Sequence, residues 1–271
     1  MKDKVIVVTG GASGIGAAIC EKFGREGSRV AVLDFDPKAL ARQEKRLRSM
    51  GVDVLGVKCD VTSGKQCVSA MMAVIKRFGG IDILVNNAGI TQRSTFRNTS
   101  MDVYRRVMEV NFFGALNCTK PAIESLVERK GVIIVTTSLA GFAPLYGRTG
   151  YSASKHALHG FFHSLRSEMA HLGVHVMMLC PGFTATNLQS RALDGSGKLN
   201  KGDRSTVGKE ATPESVADEV YRGVLKRKRE LVLTPVGKFM HHFVLRFMPA
   251  WYERQMTKKI KPEFDRNEDG K

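Results

Sequence analysis

Short apolar runs alternate with longer segments of helical period along the first 180 residues. The runs fall at 5–8, 29–33, 54–57, 81–85, 132–136 and 174–179; they are rich in Val and Ile and most are bounded by Gly, Asp or Asn. Runs of this kind predict strands buried on both faces, as in a parallel sheet. Between them, 14–27, 38–50, 64–78, 101–129 and 152–172 have helical spacing. A further helix from 214 to about 228 precedes a strand at 230–234. Pro37 and Pro213 stand where helices start, a position that tolerates a missing N–H. The alternation predicts an α/β fold: a doubly wound parallel sheet of about seven strands with helices on both faces.

Beyond Thr234 the pattern changes. Val236, Phe239, Met240, Phe243, Val244, Phe247, Met248, Trp251 and Tyr252 form an apolar stripe at helical spacing. Lys238, His241, His242, Arg246 and Arg254 take the other side, and Lys258, Lys259 and Lys261 follow. Pro249 is expected to kink or divide this helix. The plan is one domain over 1–235, with a loop at about 183–212, and a basic amphipathic extension over 236–271. Within the loop, 187–209 is rich in Gly, Ser, Lys and Asp and reads as mobile.

Composition narrows the class. A chain of 271 residues, 43% hydrophobic and 25% charged, is that of a folded globular protein. No run approaches the roughly 18–20 apolar residues of a spanning helix, and the run at 5–8 is too short for a secretory signal. The five cysteines are scattered, with no C-x-x-C pair, which predicts reduced buried thiols and a cytoplasmic setting. The formal net charge is +16, and residues 222–261 hold 11 basic against 2 acidic residues. The excess therefore belongs largely to the end of the chain. That extension could dock on its own subunit or a neighbour and cover a pocket, or lie on an anionic membrane surface. Nucleic acid is not expected as a partner, since neither a base-reading motif nor interleaved stacking aromatics are present.

The chemistry begins directly after the first strand, at Thr9-Gly10-Gly11-Ala12-Ser13-Gly14-Ile15-Gly16. Glycines there permit a tight turn and let backbone N–H groups approach a pyrophosphate at a helix N-terminus. The next strand ends at Asp34, 18 residues beyond Gly16. A carboxylate in that place accepts hydrogen bonds from ribose hydroxyls and repels a 2′-phosphate, which points to NAD. Its alternative role is to cap the following turn. Further on come Cys59-Asp60-Val61, Asn86-Asn87-Ala88-Gly89, Asn111, Ser138, Tyr151-Ser152-Ala153-Ser154-Lys155 and Pro181-Gly182 with Thr184 and Thr186. In order and spacing, over residues 4 to about 190, this set resembles the short-chain dehydrogenase/reductase family and its Rossmann-like fold.

The resemblance implies cofactor contacts from Gly10, Ser13, Gly14, Ile15, Gly16, Asp34, Asp60, Val61, Asn87, Ala88, Gly89, Tyr151, Lys155, Pro181, Gly182, Thr184 and Thr186. It implies a catalytic set of Asn111, Ser138, Tyr151 and Lys155, with Asn111 holding a relay water. The residues themselves support part of this. Tyr151 and Lys155 are four apart and share a helix face. A phenol of pKa about 10 is a poor base at neutral pH, and a neighbouring ammonium favours the phenolate. Ser138 follows a strand at the carboxyl end of the sheet, where it can hydrogen-bond a substrate oxygen.

These residues point to NAD(H)-dependent interconversion of a secondary alcohol and a ketone, with Tyr151 as general acid/base. The alternatives are an NADPH-preferring ketone reductase and a non-catalytic nucleotide-binding or regulatory protein. His156, His159 and His163 share the Tyr151 helix, but no nearby carboxylate completes a metal site, and no metal is expected. Phe142, Pro144, Leu145 and Tyr146 suggest apolar pocket walls, hence an apolar, lipid- or sterol-like substrate. Arg93 and Arg148 would contradict that if they point inward. A homodimer or homotetramer is implied by the resemblance alone.

Overall fold

A computed structural model of the chain describes residues 1–269 apart from 144, 186–187, 189–190, 201, 203–209, 235–236, 238 and 240–242, with side chains described as far as 265. Seven strands form one parallel sheet: β1 (Val5–Thr9), β2 (Arg29–Asp34), β3 (Val54–Lys58), β4 (Ile83–Asn86), β5 (Val132–Thr136), β6 (His175–Cys180) and β7 (Glu230–Val232). Their order is β3-β2-β1-β4-β5-β6-β7. The helices are α1 (Gly14–Arg25), α2 (Pro37–Ser49), α3 (Gly64–Phe78), α4 (Met101–Met108), α5 (Gly114–Glu128), α6 (Thr149–Ala170), α7 (Pro213–Leu225) and α8 (Pro249–Asp269).

The period of two in each strand divides the core between the faces. Val5 and Val7 pack with α3, α5 and α6 through Met71, Val74, Leu126 and Phe162. Ile6 and Val8 pack with α1, α2 and α7 through Ile19, Phe23, Leu47 and Val220. Each such fully buried side chain contributes about 1.5–3 kcal/mol. Helix ends follow local chemistry. The Asp36 carboxylate accepts the Lys38 and Ala39 N–H groups ahead of Pro37, and Thr212 caps Ser215 ahead of Pro213. The five cysteines are all free and buried.

The chain runs outward from β1 to β3 and then returns to place β4 on the other side of β1. The connections leaving β1 and β4 diverge, which opens a crevice at the carboxyl ends of these strands. This crevice positions the site.

Two segments differ from the sequence expectation. The helix expected at 101–129 is interrupted by a π turn, Glu109–Phe113, which turns Asn111 into the interior. Pro249 divides the C-terminal helical stretch, as expected: the chain leaves helical geometry at Met248, and Pro249 opens α8. Residues 191–200, expected within a mobile loop, are stitched to the body. The Arg93 N–H donates to the Leu193 carbonyl (2.7 Å), and the Leu193 N–H to Thr91 (2.9 Å). Val236, Lys238, Met240, His241 and His242 lie outside the described residues. In the rest of the stripe, Val244 and Tyr252 are buried, while Phe239, Phe243, Phe247, Met248 and Trp251 are exposed.

Candidate active site

One cavity of about 1210 Å³ runs from the glycine turn after β1, past the ends of β4 and β5, to α8. That exceeds the usual 300–1,000 Å³ of a small-molecule pocket, and leaves room for a dinucleotide and a second ligand.

The nucleotide end is built from main chain. Gly10 and Gly14 have φ of +61° and +54°, the left-handed region that glycine enters without a Cβ clash. Ser13, at the start of α1, caps nothing with its side chain, and the first turn carries no acidic residue. The first-turn N–H groups are thus left for an anion. The Thr9 hydroxyl accepts the Asn87 and Ala88 N–H groups, each at 3.0 Å, and Asn87 Nδ2 donates to the Thr9 carbonyl at 3.1 Å. The glycine turn and the Asn86–Gly89 segment are fastened together in this way. Buried Asp34 accepts the Ala12 N–H on Oδ2 and the Asp36 N–H on Oδ1, both at 3.1 Å, and lines the cavity. A carboxylate has about four acceptor positions, so two remain for hydroxyl groups. These residues fit a dinucleotide.

The catalytic cluster stands at the middle of the cavity. Ser138 follows β5 and its hydroxyl accepts the Ala140 N–H at 3.2 Å. Both Ser138 and Tyr151 line the cavity. Tyr151 and Lys155 rise from the first turns of α6, with Lys155 Nζ 5.6 Å from the centre of the Tyr151 ring. Lys155 donates to the Thr136 carbonyl at 2.8 Å. Burial holds its ammonium down to about 8. Burial also raises the Tyr151 phenol above its ordinary range, opposed by the Ser138 hydrogen bond and then by the charge of Arg148. Gln92 Oε1 accepts the Tyr151 N–H at 2.9 Å, which fixes the first turn of α6. Asn111 serves as a clamp. Its Oδ1 accepts the Ile90 N–H (2.8 Å) and its Nδ2 donates to the Ile90 carbonyl and to Ser154 Oγ (both 2.9 Å).

The substrate end is closed from far along the chain. Tyr252, Met256, Ile260 and Glu263 of α8 line the cavity, opposite Leu145, Tyr146 and Arg148. Glu263 is buried, and its Oε1 accepts Nε and Nη2 of Arg93 at 3.1 and 2.8 Å; Arg148 Nη2 lies 3.7 Å from the same oxygen. Both arginines are buried. Arg93 and Arg148 therefore do point inward, and the pocket is not purely apolar as its neighbours in sequence suggested.

Of the expected cofactor residues, Gly10, Ser13, Gly14, Ile15, Asp34, Asp60, Val61, Asn87, Ala88, Gly89, Tyr151, Lys155, Pro181, Gly182 and Thr184 all line the cavity. Gly16 does not: a Cβ there would lie 2.3 Å from the Gly10 carbonyl oxygen, so its place is in packing the turn. Asn111 sits behind the wall, and Phe142 packs beside Val244 and Tyr252 and against the His159 ring. Thr186 and Pro144 lie outside the described residues. Sequence reasoning missed Thr91, Arg106, Leu193, Leu199 and Glu263 as lining residues. Tyr252 had been signalled by the apolar stripe; Glu263 had no local signal. Among the described residues, no group of His, Cys, Asp and Glu could hold a metal ion, and no helix is long and apolar enough to cross a membrane.

A parallel sheet with its crevice at the β1/β4 switch, a glycine turn, and Ser, Tyr and Lys meeting in one cavity define a nucleotide-binding α/β protein of the oxidoreductase kind. The family model described as short chain dehydrogenase matches residues 4–196. The chain belongs to the short-chain dehydrogenase/reductase family. Among its relatives, dehydrogenase/reductase SDR family member 7B of Danio rerio is 33% identical, over 99% of this chain and 89% of that protein. Dehydrogenase/reductase SDR family member 7 of Homo sapiens is 32% identical, over 93% of this chain and 76% of that protein. A short chain dehydrogenase/reductase from Burkholderia phymatum, solved in complex with NAD, superposes with a TM-score of 0.81 at 25% identity, covering 94% of this chain and 95% of that one. An actinorhodin polyketide ketoreductase solved with NADPH gives 0.73 at 31% identity, covering 81% and 89%.

Proposed function

We propose that the protein is an NAD(H)-dependent oxidoreductase interconverting a secondary alcohol and a ketone. The observation that carries this is the meeting of Ser138, Tyr151 and Lys155 in the cavity that also holds Asp34 and the glycine turn. The nicotinamide, when bound, supplies the hydride acceptor or donor. Tyr151 takes or returns the hydroxyl proton, Ser138 orients the substrate oxygen, and Lys155 favours the phenolate that the proton leaves or enters. Asn111 positions this cluster through Ile90 and Ser154. Asp34 selects NAD over NADP, because a buried carboxylate beside the ribose repels a 2′-phosphate. Residues 1–235 form the catalytic domain with the substrate loop at about 183–212, and 236–271 are its extension.

A screen of secondary alcohols, sterols and long-chain 3-hydroxy compounds, followed at the NADH and NADPH absorbance, tests this reading. Turnover with NAD⁺ is expected, reduced about 10³-fold or more in Tyr151→Phe with NADH binding intact. Retained turnover in the variant refutes the role of Tyr151, preference for NADP⁺ refutes that of Asp34, and binding without turnover favours a regulatory protein.

Two surfaces support finer readings. Phe113 of the π turn and Phe161 of α6 are exposed, each with its ring edge-on to Phe112, which suits contact with a second copy; a monomer on a sizing column refutes it. The exposed aromatics Phe239, Phe243, Phe247 and Trp251, beside Arg246 and Arg254, suit a peripheral place on an anionic membrane. Co-sedimentation with anionic liposomes that survives removal of residues 236–271 refutes that.

A further inference from the structure

Glu263 does not engage the two buried arginines equally. Arg93 takes Glu263 Oε1 through two nitrogens, at 3.1 and 2.8 Å, and also donates to the Gly202 carbonyl at 2.9 Å. Arg148 is left with a long 3.7 Å contact to that oxygen and a 3.2 Å bond from Nη1 to the Gly147 carbonyl. Its guanidinium has five N–H donors in a planar fork. Arg148 is only 6% exposed, yet it lines the cavity, so its guanidinium borders the space where a substrate lies. A buried guanidinium held by one long ionic contact and one carbonyl is costly to leave so. Burial pulls Arg148 down to about 10, so it stays charged at neutral pH.

We propose that Arg148 is an anion subsite, and that the substrate is a monocarboxylate with an apolar body. The planar fork of a guanidinium matches the two oxygens of a single carboxylate. The apolar body has walls to lie on: Leu145, Leu193, Leu199, Met256 and Ile260 line the same cavity. Arg148 precedes α6 and Tyr151 sits in its first turn, three residues on. The carboxylate and the reacting carbon are therefore held close together, as in a 3-hydroxy acid, and not at opposite ends of a long chain. Glu263 has a distinct part: it neutralises Arg93 and ties α8 down, leaving Arg148 to the ligand. The proposal rests on the oxidoreductase reading only for which ligand is turned over.

Binding without turnover is the first test. Decanoate and 1-decanol are titrated by calorimetry into the full-length protein, with the fluorescence of Trp251, its single tryptophan, as a second signal. Wild type should bind the acid about ten-fold tighter or better, the usual scale of a charge-assisted hydrogen bond. The preference should vanish in Arg148→Met and fall in Arg148→Lys, which keeps the charge but not the fork. Equal affinities in wild type overturn the proposal whether or not the variants fold, and so does a preference that survives in a folded Arg148→Met. The second test compares 3-hydroxydecanoate with its methyl ester: the acid-to-ester ratio of kcat/KM should fall about ten-fold in Arg148→Met, mainly through KM. Acid preference without any turnover supports the subsite and sinks the oxidoreductase reading. Turnover of neutral alcohols without acid preference sinks the subsite alone.

Discussion

The two ends of the cavity are made in different ways. At the nucleotide end the parts are mostly backbone, positive-φ glycines and the uncapped N–H groups of α1, with the Thr9 hydroxyl tying the β1 and β4 turns together and the Asp34 carboxylate beside them. These parts come from strand ends held in register by the sheet. At the substrate end the parts are side chains from distant stretches, and Arg93 meets Glu263 across 170 residues. The first arrangement is tolerant of what the ligand's far end carries, since its turn, dipoles and Asp34 carboxylate all lie away from that end. The second is free to change with each side chain, and so sets what is accepted. A shared fold with a variable specificity follows from that division.

The division can be broken from either side. The largest effect is expected from Glu263→Ala, which leaves two arginines buried without their carboxylate. Breaking a buried pair in this way costs about 3–5 kcal/mol, so urea unfolding should show a loss near the middle of that range. If the substrate end is independent, the folded fraction should keep its NADH affinity in a calorimetric titration. A parallel loss of nucleotide binding would show the two ends to be coupled.

Gly16→Ala makes the converse change. Its Cβ would stand 2.3 Å from the Gly10 carbonyl oxygen and 2.6 Å from Asn87 Nδ2, and backbone gives way less easily than side chains. The expected loss is about 3 kcal/mol, the upper end for overpacking, together with NADH affinity. Unchanged NADH binding would mean that the turn repacks and that its geometry is not demanding.

The smallest effect is a dependence on pH at the junction of the two ends. Lys155 is held at about 8 against an ordinary 10.5. Between those values the unfolded chain binds a proton that the folded protein has released, so stability rises with pH. Below pH 8 the penalty for the buried ammonium is fully present. Tyr151, raised by burial, reverses the trend above its ordinary value of 10. From pH 8 to 10 the wild type should therefore gain about 2 kcal/mol over Lys155→Met, read from unfolding curves at each pH. A constant gap between the two would place the ammonium in solvent.

The strands and the nucleotide end were legible because their signals are local. A buried parallel strand must be a short run of β-branched residues, and β1 through β6 lie within a few residues of the apolar runs that mark them. The glycine turn, Asp34, the Asn86–Gly89 segment and the Tyr151/Lys155 pair each occupy a few consecutive positions, so spacing alone reveals them. The π turn at Glu109–Phe113 was less legible. The apolar period of a helix runs through it, and the interruption depends on Asn111 reaching Ile90 on another segment.

The sequence by itself determined the layered α/β architecture, the glycine turn after β1 and the meeting of Ser138, Tyr151 and Lys155 in one cavity. In each of these the physics acts between neighbours in the chain: side-chain alternation, helix starts, and a four-residue step along one helix face. Only the tertiary structure decided the character of the substrate end. Whether Arg148 faces solvent or the cavity depends on the packing of α8, whose Glu263 meets Arg148 and Arg93 only through the tertiary fold. Burial converts those charges from solubility into recognition, because a guanidinium deprived of water must find its partner in the protein or in the ligand.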